Sequence, residues 1–234
     1  MMRQLLLFDE LILPVRCEKG EALTLLAGLR ERGLIIGTDE AGRGALAGPV
    51  VAAAVCLTQE QEDSLISLGL KDSKRLSPKR REELFTAMKG LGVLWRAYMA
   101  GAETVDRDNV LNASLLAMNG AVSRVAETAG RAECVIVDGN ARIKGLEIPQ
   151  WVLVKADDII PCVSAASVAA KVIRDRLMMR LSAKYPGYSL GRNKGYPTRA
   201  HMEAVRRNGL SDIHRVTFCR KILQERGEIT DAAD

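Results

Sequence analysis

The chain has 234 residues, of which 47% are hydrophobic, so it is long enough for one domain with a sizeable core. Lys and Arg number 34 against 29 Asp and Glu, and this balance favours a polyanionic partner without establishing one. Acids interrupt the apolar start, and the apolar stretch at residues 45–57 is too short to cross a bilayer. Five dispersed cysteines lack zinc-ligand spacing. We therefore expect a cytoplasmic protein with reduced thiols and no secretory signal or membrane segment.

Segments of strand and helix character alternate along the chain. Strands are predicted over residues 34–39, 49–57, 93–100, 134–138 and 151–157, and helices over 21–32, 78–89, 109–128 and 164–182. The first two strands flank a glycine-rich turn, which predicts a tight hairpin. Leu111, Leu115, Met118, Val122 and Val125 form a helical stripe that is expected to face the core. The order of elements predicts a mixed α/β sheet protein that is mostly helical from Pro197 onward.

Carboxylates stand where three of the predicted strands end: Asp39 beside Glu40, Asp138, and Asp157 beside Asp158. Strand ends commonly carry function, because the rigid sheet fixes side chains that the following loop exposes. Gathered acids repel one another unless cations lie between them, and hard oxygen ligands suit Mg²⁺ or Mn²⁺. Any one of these aspartates also fits a turn or a helix cap. Three together in a basic chain favour a two-metal site for phosphodiester hydrolysis.

The turn after the first strand reads Asp39-Glu40-Ala41-Gly42-Arg43-Gly44. Its spacing differs from that of dinucleotide-binding and phosphate-binding glycine loops, which disfavours a nucleotide cofactor. Glycines on both sides of Arg43 permit positive φ and a close backbone approach, so main-chain groups can read a sugar hydroxyl there. An ordinary hairpin turn with one solvated arginine is the alternative interpretation.

Separated motifs resemble those of the type 2 ribonucleases H. They are DEAGRG with LAGPVVAAAV, LKDSKRLS, DNVLNASLLAM, VDGN, KADDIIPCVSAASVAAKVIRD and NKGYPTRAH, within roughly residues 34–220. The resemblance implies an RNase H-like mixed five-stranded sheet flanked by helices, with a C-terminal helical part. It divides the chain into an N-terminal extension (1–33), a catalytic domain (34–196) and a C-terminal helical segment and tail (197–234). The extension is too short for the extra domain of the type 3 enzymes.

The resemblance also implies a site and a reaction. The metal-binding acids of the family correspond to Asp39, Glu40, Asp138 and Asp157. Its substrate-binding residues correspond to Gly42, Arg43, Gly44, Lys71, Lys74, Asn109 and Tyr196. In the family the Gly-Arg-Gly backbone senses the 2′-hydroxyl at an RNA–DNA junction and the tyrosine stacks on the sugar beyond it, while the two lysines and the asparagine are expected at phosphates. The implied activity is two-metal endonucleolytic hydrolysis with Mg²⁺ or Mn²⁺, which leaves 3′-hydroxyl and 5′-phosphate ends.

The substrate that the resemblance implies is an RNA/DNA hybrid, or duplex DNA that is cut 5′ to a single embedded ribonucleotide. We expect a monomer, with a sliding clamp as a candidate additional partner. Another nuclease of RNase H-like fold and a non-catalytic nucleic-acid-binding protein stay open as alternatives. Tyr196 and the Gly-Arg-Gly turn argue against the first. The four acids argue against the second, since a pure binder gains nothing from negative charge beside phosphate.

Some positions carry competing interpretations. The family commonly has proline, glycine and histidine where this chain has Ala45, Ala156 and Asn193, which puts fine positioning in doubt and leaves the reaction type unaffected. Tyr196 equally fits a half-buried core residue, and lone lysines are usually solvated. A polar stripe on the predicted helix either faces the substrate backbone or is solvated, with Ser164 as a helix cap; it consists of Ser164, Ser167, Lys171 and Arg174. His201 and His214 are interpreted as structural.

Overall fold

A computed structural model describes residues 14–70, 76–130 and 132–227, which fold around one mixed sheet. The strands are β1 (Leu34–Ala41), β2 (Val50–Cys56), β3 (Leu94–Ala100), β4 (Ala132–Asp138) and β5 (Gln150–Leu153). The helices are α1 (Lys19–Arg30), α2 (Gln59–Ser67), α3 (Pro78–Gly90), α4 (Ala102–Ala129), α5 (Pro161–Lys184), α6 (Leu190–Asn193), α7 (Arg199–Asn208) and α8 (Val216–Glu225).

The sheet has the strand order β3-β2-β1-β4-β5, which confirms the predicted mixed five-stranded α/β architecture. β1 and β2 are antiparallel, as are β2 and β3, whereas β4 runs parallel to both β1 and β5. The predicted hairpin therefore exists, but the prediction of a tight turn is wrong. Ladder pairing ends at Ala41 opposite Val51, and residues 42–49 form a longer connection whose carbonyls are bound by side chains from the C-terminal half.

Helices cover both faces of the sheet and bury it. On one face α4 packs Val105, Met118 and Val122 against β1, β2 and β4. On the other face α5 lies across β1 and β2, where its alanine-rich surface allows close approach. Gly37 of β1 faces the first turn of α5, because a Cβ at this position would lie 2.5 Å from the backbone of Cys162 and Val163. This close approach places the polar residues of α5 beside the strand that carries Asp39.

The N-terminal helix α1 shares the core of the sheet. Its Ala22, Leu26 and Leu29 are buried in one cluster with Ile136 of β4 and Trp151 of β5. The indole N–H of Trp151 also donates to the carbonyl of Pro14, at 2.9 Å. The segment before β1 is therefore packed onto the sheet by apolar contacts that its modest helical pattern only partly indicates.

The predicted start of α4 and the predicted end of β5 need correction. The helix predicted from Asn109 begins at Ala102, and Asn109 marks a kink inside it with φ 64° and ψ 164°. The stripe on α4 is buried as predicted except for Leu111, which lies just after the kink and is 39% exposed. The fifth strand ends at Leu153, because Lys155 takes a left-handed conformation and residues Ala156–Asp158 form a 3-10 turn. Asp157 thus lies on this turn and not at a strand end.

The C-terminal part is helical, as predicted, and packs on the end of α5. Met178 of α5, Leu46 and Ala47 of the long β1–β2 connection, and Val205 and Cys219 of α7 and α8 belong to one buried cluster. The connection and the C-terminal helices therefore stabilise each other. Among the helices within the described residues, none combines the length and the apolar character that a membrane crossing needs.

Candidate active site

Three aspartates that are distant along the chain meet at one edge of the sheet. Carboxylate oxygens of Asp39, Asp138 and Asp157 all lie within 4.8 Å of one another. The pairing of Thr38 with Val137 in the parallel β1–β4 ladder makes Asp39 and Asp138 neighbours across the two strands. The 3-10 turn after β5 supplies the third aspartate, and the amide of Ala156 on this turn donates to Asp138 Oδ1 at 2.7 Å. This bond fixes the turn against the end of β4.

The electrostatics of this group are unfavourable for three ionised carboxylates. Asp39 is 3% exposed and Asp157 is 1% exposed, so both have little access to water. Burial raises the pKa of Asp39 well above its usual range, and the charges of Glu40 and Asp138 raise it further, while a hydrogen bond from the Ser167 hydroxyl opposes this. A cation among the three would relieve the repulsion.

Glu40 does not belong to the group of three aspartates. Successive residues of a strand point to opposite faces, so Glu40 diverges from Asp39 even though its charge raises the pKa of that neighbour. Its Oε1 lies 3.3 Å from Nη1 of Arg43, an ion pair across the turn. The prediction of Glu40 as a fourth metal ligand stays a prediction.

The two serines of the polar stripe on α5, Ser164 and Ser167, are neither solvated nor capping, in contrast to part of the sequence interpretation. Ile160 is the N-cap of α5 and Pro161 opens the helix, so Ser164 lies inside it. The Ser164 hydroxyl donates to the carbonyl of Asp157, and Ser167 donates to the Asp39 carboxylate. Both serines are buried and orient the aspartates from behind.

Arg174 occupies the far end of the same stripe and is fully buried. Its guanidinium donates to the carbonyls of Pro49 at 3.0 Å, Ala47 at 3.2 Å and Lys194 at 2.8 Å. Gly42, with φ +98°, lies against this side chain so closely that a Cβ would meet Arg174 Nε at 2.0 Å. Arg174 therefore joins the β1–β2 connection to the segment that precedes Tyr196, and the interpretation of Arg174 as substrate-facing or solvated is wrong.

A second buried guanidinium, that of Arg215, holds the Gly-Arg-Gly turn itself. It donates to the carbonyls of Gly42 at 2.8 Å, Arg43 at 2.7 Å and Gly48 at 2.9 and 3.2 Å. Because a trans peptide group is planar, these inward carbonyls turn the amide N–H groups of Arg43 and Gly44 away from Arg215. Arg43 and Gly44 are exposed, so the side of the turn that faces away from Arg215 is open to solvent. No local pattern in the sequence distinguishes Arg215 from a surface arginine.

Tyr196 lies beside this turn, half-buried, with its ring over two cations of α5. Lys171 Nζ is 5.2 Å and Arg174 Cζ is 5.1 Å from the ring centroid. Gly195, with φ +83°, lets the two segments touch, since its carbonyl accepts from Leu46 N at 2.8 Å and a Cβ there would lie 2.2 Å from Ala47 O. The structure thus brings the Gly-Arg-Gly turn and the tyrosine segment together.

The remaining predicted substrate contacts are placed differently. Asn109 is exposed at the kink of α4, and its Oδ1 accepts from the amides of Leu111 and Asn112, at 3.0 and 3.1 Å. The side-chain oxygen therefore caps the second segment of α4, and the amide nitrogen is the donor left to meet a phosphate. Asn109 lines an open cleft of about 650 Å³ with Asp106 and Lys144. Lys71 and Lys74 lie outside the described residues.

The three aspartates fit a divalent cation by the chemistry of their donors. They supply hard carboxylate oxygens that lie close together and are held by the sheet and the turn after β5. Without a cation, the repulsion among these carboxylates destabilises the site. A mixed sheet in the order β3-β2-β1-β4-β5 with acids on its two central parallel strands defines the class of RNase H-like proteins with a carboxylate site.

Comparison with known proteins gives the family within this class. The family model described as Ribonuclease HII matches residues 36–221. A Ribonuclease HII of Acaryochloris marina is 46% identical over 184 residues, which cover 79% of this chain and 91% of that protein. The ribonuclease H2 structure from Pyrococcus horikoshii matches with a TM-score of 0.66 at 26% identity, over 84% of this chain and 100% of that one. A ribonuclease HII solved in complex with PCNA, from Archaeoglobus fulgidus, matches with a TM-score of 0.64 at 27% identity, over 84% and 98%. The chain belongs to the ribonuclease HII family.

Proposed function

We propose that this protein is a type 2 ribonuclease H, an endonuclease that hydrolyses the RNA strand of RNA/DNA hybrids and cuts 5′ to single ribonucleotides in duplex DNA. The observation that carries the proposal is that carboxylate oxygens of Asp39, Asp138 and Asp157 lie within 4.8 Å of one another. The Gly-Arg-Gly turn begins three residues after Asp39. Family membership supports the same reaction class. A basic chain, with a net charge of +5, suits a nucleic-acid substrate.

In this proposal Asp39, Asp138 and Asp157 hold divalent ions, Mg²⁺ or Mn²⁺, and Glu40, the next residue of β1, completes the set. When bound, such ions supply an activated water and stabilise the leaving 3′ oxygen in phosphodiester hydrolysis. Ser167 keeps Asp39 oriented through its hydrogen bond, and the Ala156 amide does the same for Asp138. The buried histidines have no part in proton transfer here.

Ribose recognition is assigned to the Gly-Arg-Gly turn and Tyr196. Arg215 holds the carbonyls of Gly42 and Arg43 inward, which leaves the Arg43 and Gly44 amides directed away from Arg215. Main-chain groups so directed can distinguish a 2′-hydroxyl from a hydrogen, because the hydroxyl both donates and accepts. Tyr196 offers a ring face next to the turn for stacking on the adjoining sugar, and Asn109 offers an amide to a phosphate.

The test is cleavage of a DNA duplex with one embedded ribonucleotide, in Mg²⁺ or in Mn²⁺, with all-DNA and all-RNA duplexes as controls. We expect one cut 5′ to the ribonucleotide, with 3′-hydroxyl and 5′-phosphate ends. Asp138→Asn should abolish cleavage while duplex binding persists. Asp158→Asn, which changes an exposed acid on the turn that carries Asp157, is the matched control and should keep cleavage. Full activity of Asp138→Asn would refute the assignment of the acids, and binding without cleavage by the wild type would favour a pure binder.

We also infer a sliding clamp as a second partner, by analogy with the archaeal relative that was solved with PCNA. The experiment is a binding titration of the full chain on the purified clamp, alongside one version that lacks residues 1–13 and another that lacks residues 228–234. Loss of binding in one shortened version identifies the terminus involved. An absence of binding by the full chain contradicts the inference.

A further inference from the structure

Two buried histidines lie directly behind Tyr196 and form a continuous hydrogen-bonded row. His201, on α7, is 0% exposed and His214, before α8, is 3% exposed. Their Nε2 atoms are 3.1 Å apart. At the outer ends of the row, His201 Nδ1 lies 3.0 Å from the carbonyl of Tyr196 and His214 Nδ1 lies 3.1 Å from the amide of Ser211.

The chemistry of the two ends fixes the protons of both rings. The Ser211 amide can only donate, so His214 Nδ1 accepts and the proton of this ring is on Nε2. His214 Nε2 then donates to His201 Nε2, which leaves the proton of His201 on Nδ1. That proton is donated to the Tyr196 carbonyl, which can only accept. One arrangement of two neutral rings satisfies these contacts, and it also lets the Ser211 hydroxyl, 2.8 Å from His214 Nδ1, donate to that nitrogen. Burial lowers the pKa of both histidines in agreement with it.

The row connects the two parts of the ribose-recognition surface, which consists of the Gly-Arg-Gly turn (residues 42–44) and Tyr196. His214 pairs with Ala47 of the β1–β2 connection in an isolated β-bridge, and its neighbour Arg215 donates to Gly42 and Arg43. His201 binds the tyrosine segment. The Tyr188 ring, 4.7 Å from the ring of His214, packs against the pair and limits its movement. A shift in either histidine is thereby transmitted to the spacing of Tyr196 and the Gly-Arg-Gly turn.

We propose that His201 and His214 are positioning residues for ribonucleotide recognition, in which the Nδ1–H of His201 sets the backbone of Tyr196 relative to the Gly-Arg-Gly turn. This proposal rests on the function assigned above to Tyr196. Neither histidine touches the reacting phosphate. Their contribution is to the placement of the ring face that meets the sugar, so it should appear in recognition of the ribonucleotide.

Two substitutions at one position separate this role from packing. In His201→Asn the side-chain amide nitrogen takes the place of Nδ1 and keeps the bond to the Tyr196 carbonyl. In His201→Gln the side-chain amide oxygen takes the place of Nε2 and accepts from His214 Nε2–H, so the bond to His214 is kept and the one to Tyr196 is lost. Both remove the ring, so a purely structural role predicts similar losses of thermal stability and of activity. We expect His201→Gln to raise KM or lower kcat/KM for a single-ribonucleotide duplex by about 10- to 100-fold, because misplacing a positioning group by about an ångström has an effect of that size. His201→Asn should keep most of the wild-type kcat/KM.

A double-mutant cycle with Tyr196→Ala completes the test. If the histidine acts through Tyr196, His201→Gln should cost little further activity in the Tyr196→Ala protein. Equal losses for the Asn and Gln variants, or additive losses in the cycle, would overturn the proposal. Should Tyr196→Ala alone cleave as fast as the wild type, the function assigned to Tyr196 fails; should Tyr196→Ala slow cleavage while His201→Gln does not, only the present proposal fails.

A measurement on the unmodified chain does not depend on the folding of any variant. Nitrogen-15 NMR of the imidazoles at neutral pH should show His201 protonated on Nδ1 and His214 protonated on Nε2. The opposite tautomer for His201 would remove the donor to Tyr196 and contradict the proposal.

Discussion

The substitution Asp39→Asn separates the charge of this buried carboxylate from its packing. An asparagine oxygen can still accept from the amide of Glu40, now 2.7 Å from Asp39 Oδ1. The Ser167 hydroxyl can donate to that oxygen or accept from the asparagine amide nitrogen, so its bond to residue 39 is kept in either case. The side chain keeps almost the same volume. The change therefore removes one negative charge from the group of three aspartates and retains its hydrogen bonds.

The magnitude follows from the distances. Oxygens of the three aspartates lie within 4.8 Å, and two unit charges at that separation repel by about 3.5 kcal/mol at an effective dielectric constant of about 20. The raised pKa of Asp39 lowers its ionised fraction and so reduces the gain. We expect Asp39→Asn to increase the unfolding free energy of the metal-free protein by about 2 kcal/mol at pH 8.

The assay is urea unfolding at pH 8, first with a chelator and then with Mg²⁺ or Mn²⁺. Wild-type protein should gain about 2.7 kcal/mol at a metal concentration of about 100 times Kd, because metal binds the folded state. Asp39→Asn should gain much less at the same concentration, so the order of stability reverses between the two conditions. Asp158→Asn, with its exposed acid, should behave like the wild type. An asparagine variant that is less stable than the wild type in chelator, or that keeps the full metal-dependent gain, would refute the reasoning.

Two further predictions concern the supports of the ribose-recognition surface. Arg215→Met should lower the unfolding free energy by about 3–5 kcal/mol, because the carbonyls of Gly42, Arg43 and Gly48 lose charge-assisted hydrogen bonds. Arg220→Met on the exposed side of α8 should change the unfolding free energy little, and equal small losses for the two variants in urea unfolding would contradict this. Burial, then the neighbouring histidine, lowers the pKa of His214 from 6.5 to about 4, although the charge of Asp212 opposes the shift. Between pH 6.5 and about 4 the unfolded protein therefore binds a proton at His214 that the folded protein does not bind. The stability contributed by the neutral, buried His214 is complete above pH 6.5 and declines as pH falls towards 4. His214→Gln should show a shallower loss over that range, and parallel urea midpoints for both proteins would disprove the linkage.

The parts of the site that the sequence predicts are those encoded locally. Asp39 and Asp138 each follow an apolar run, and parallel strands bring such ends to one edge of the sheet. Asp157 was also predicted from an apolar run, yet it reaches the group through the left-handed Lys155 and a 3-10 turn. The start of α4 was misplaced because its first seven residues carry only a weak stripe, whereas Asn109 has the capping character of a helix start.

The buried arginines could not be predicted from local pattern. A lone Arg in a sequence is usually a surface residue, and its burial is favourable only where several acceptors converge on it. The acceptors of Arg174 are carbonyls of Ala47 and Pro49, more than 120 positions away, and those of Arg215 include Gly42, 173 positions away. Their convergence exists only after the C-terminal helices have packed on the β1–β2 connection.

This arrangement gives the chemistry and the recognition different structural supports. The aspartates stand on β1, β4 and the turn after β5, and are braced by α5, all within the central sheet. The Gly-Arg-Gly turn and Tyr196 are held by Arg174, Arg215 and the histidine row, most of which come from the C-terminal helices and the segments between them. Loosening the C-terminal helices should therefore impair discrimination of a ribonucleotide before it impairs metal binding, because the carboxylates keep their supports when the recognition surface has lost its own.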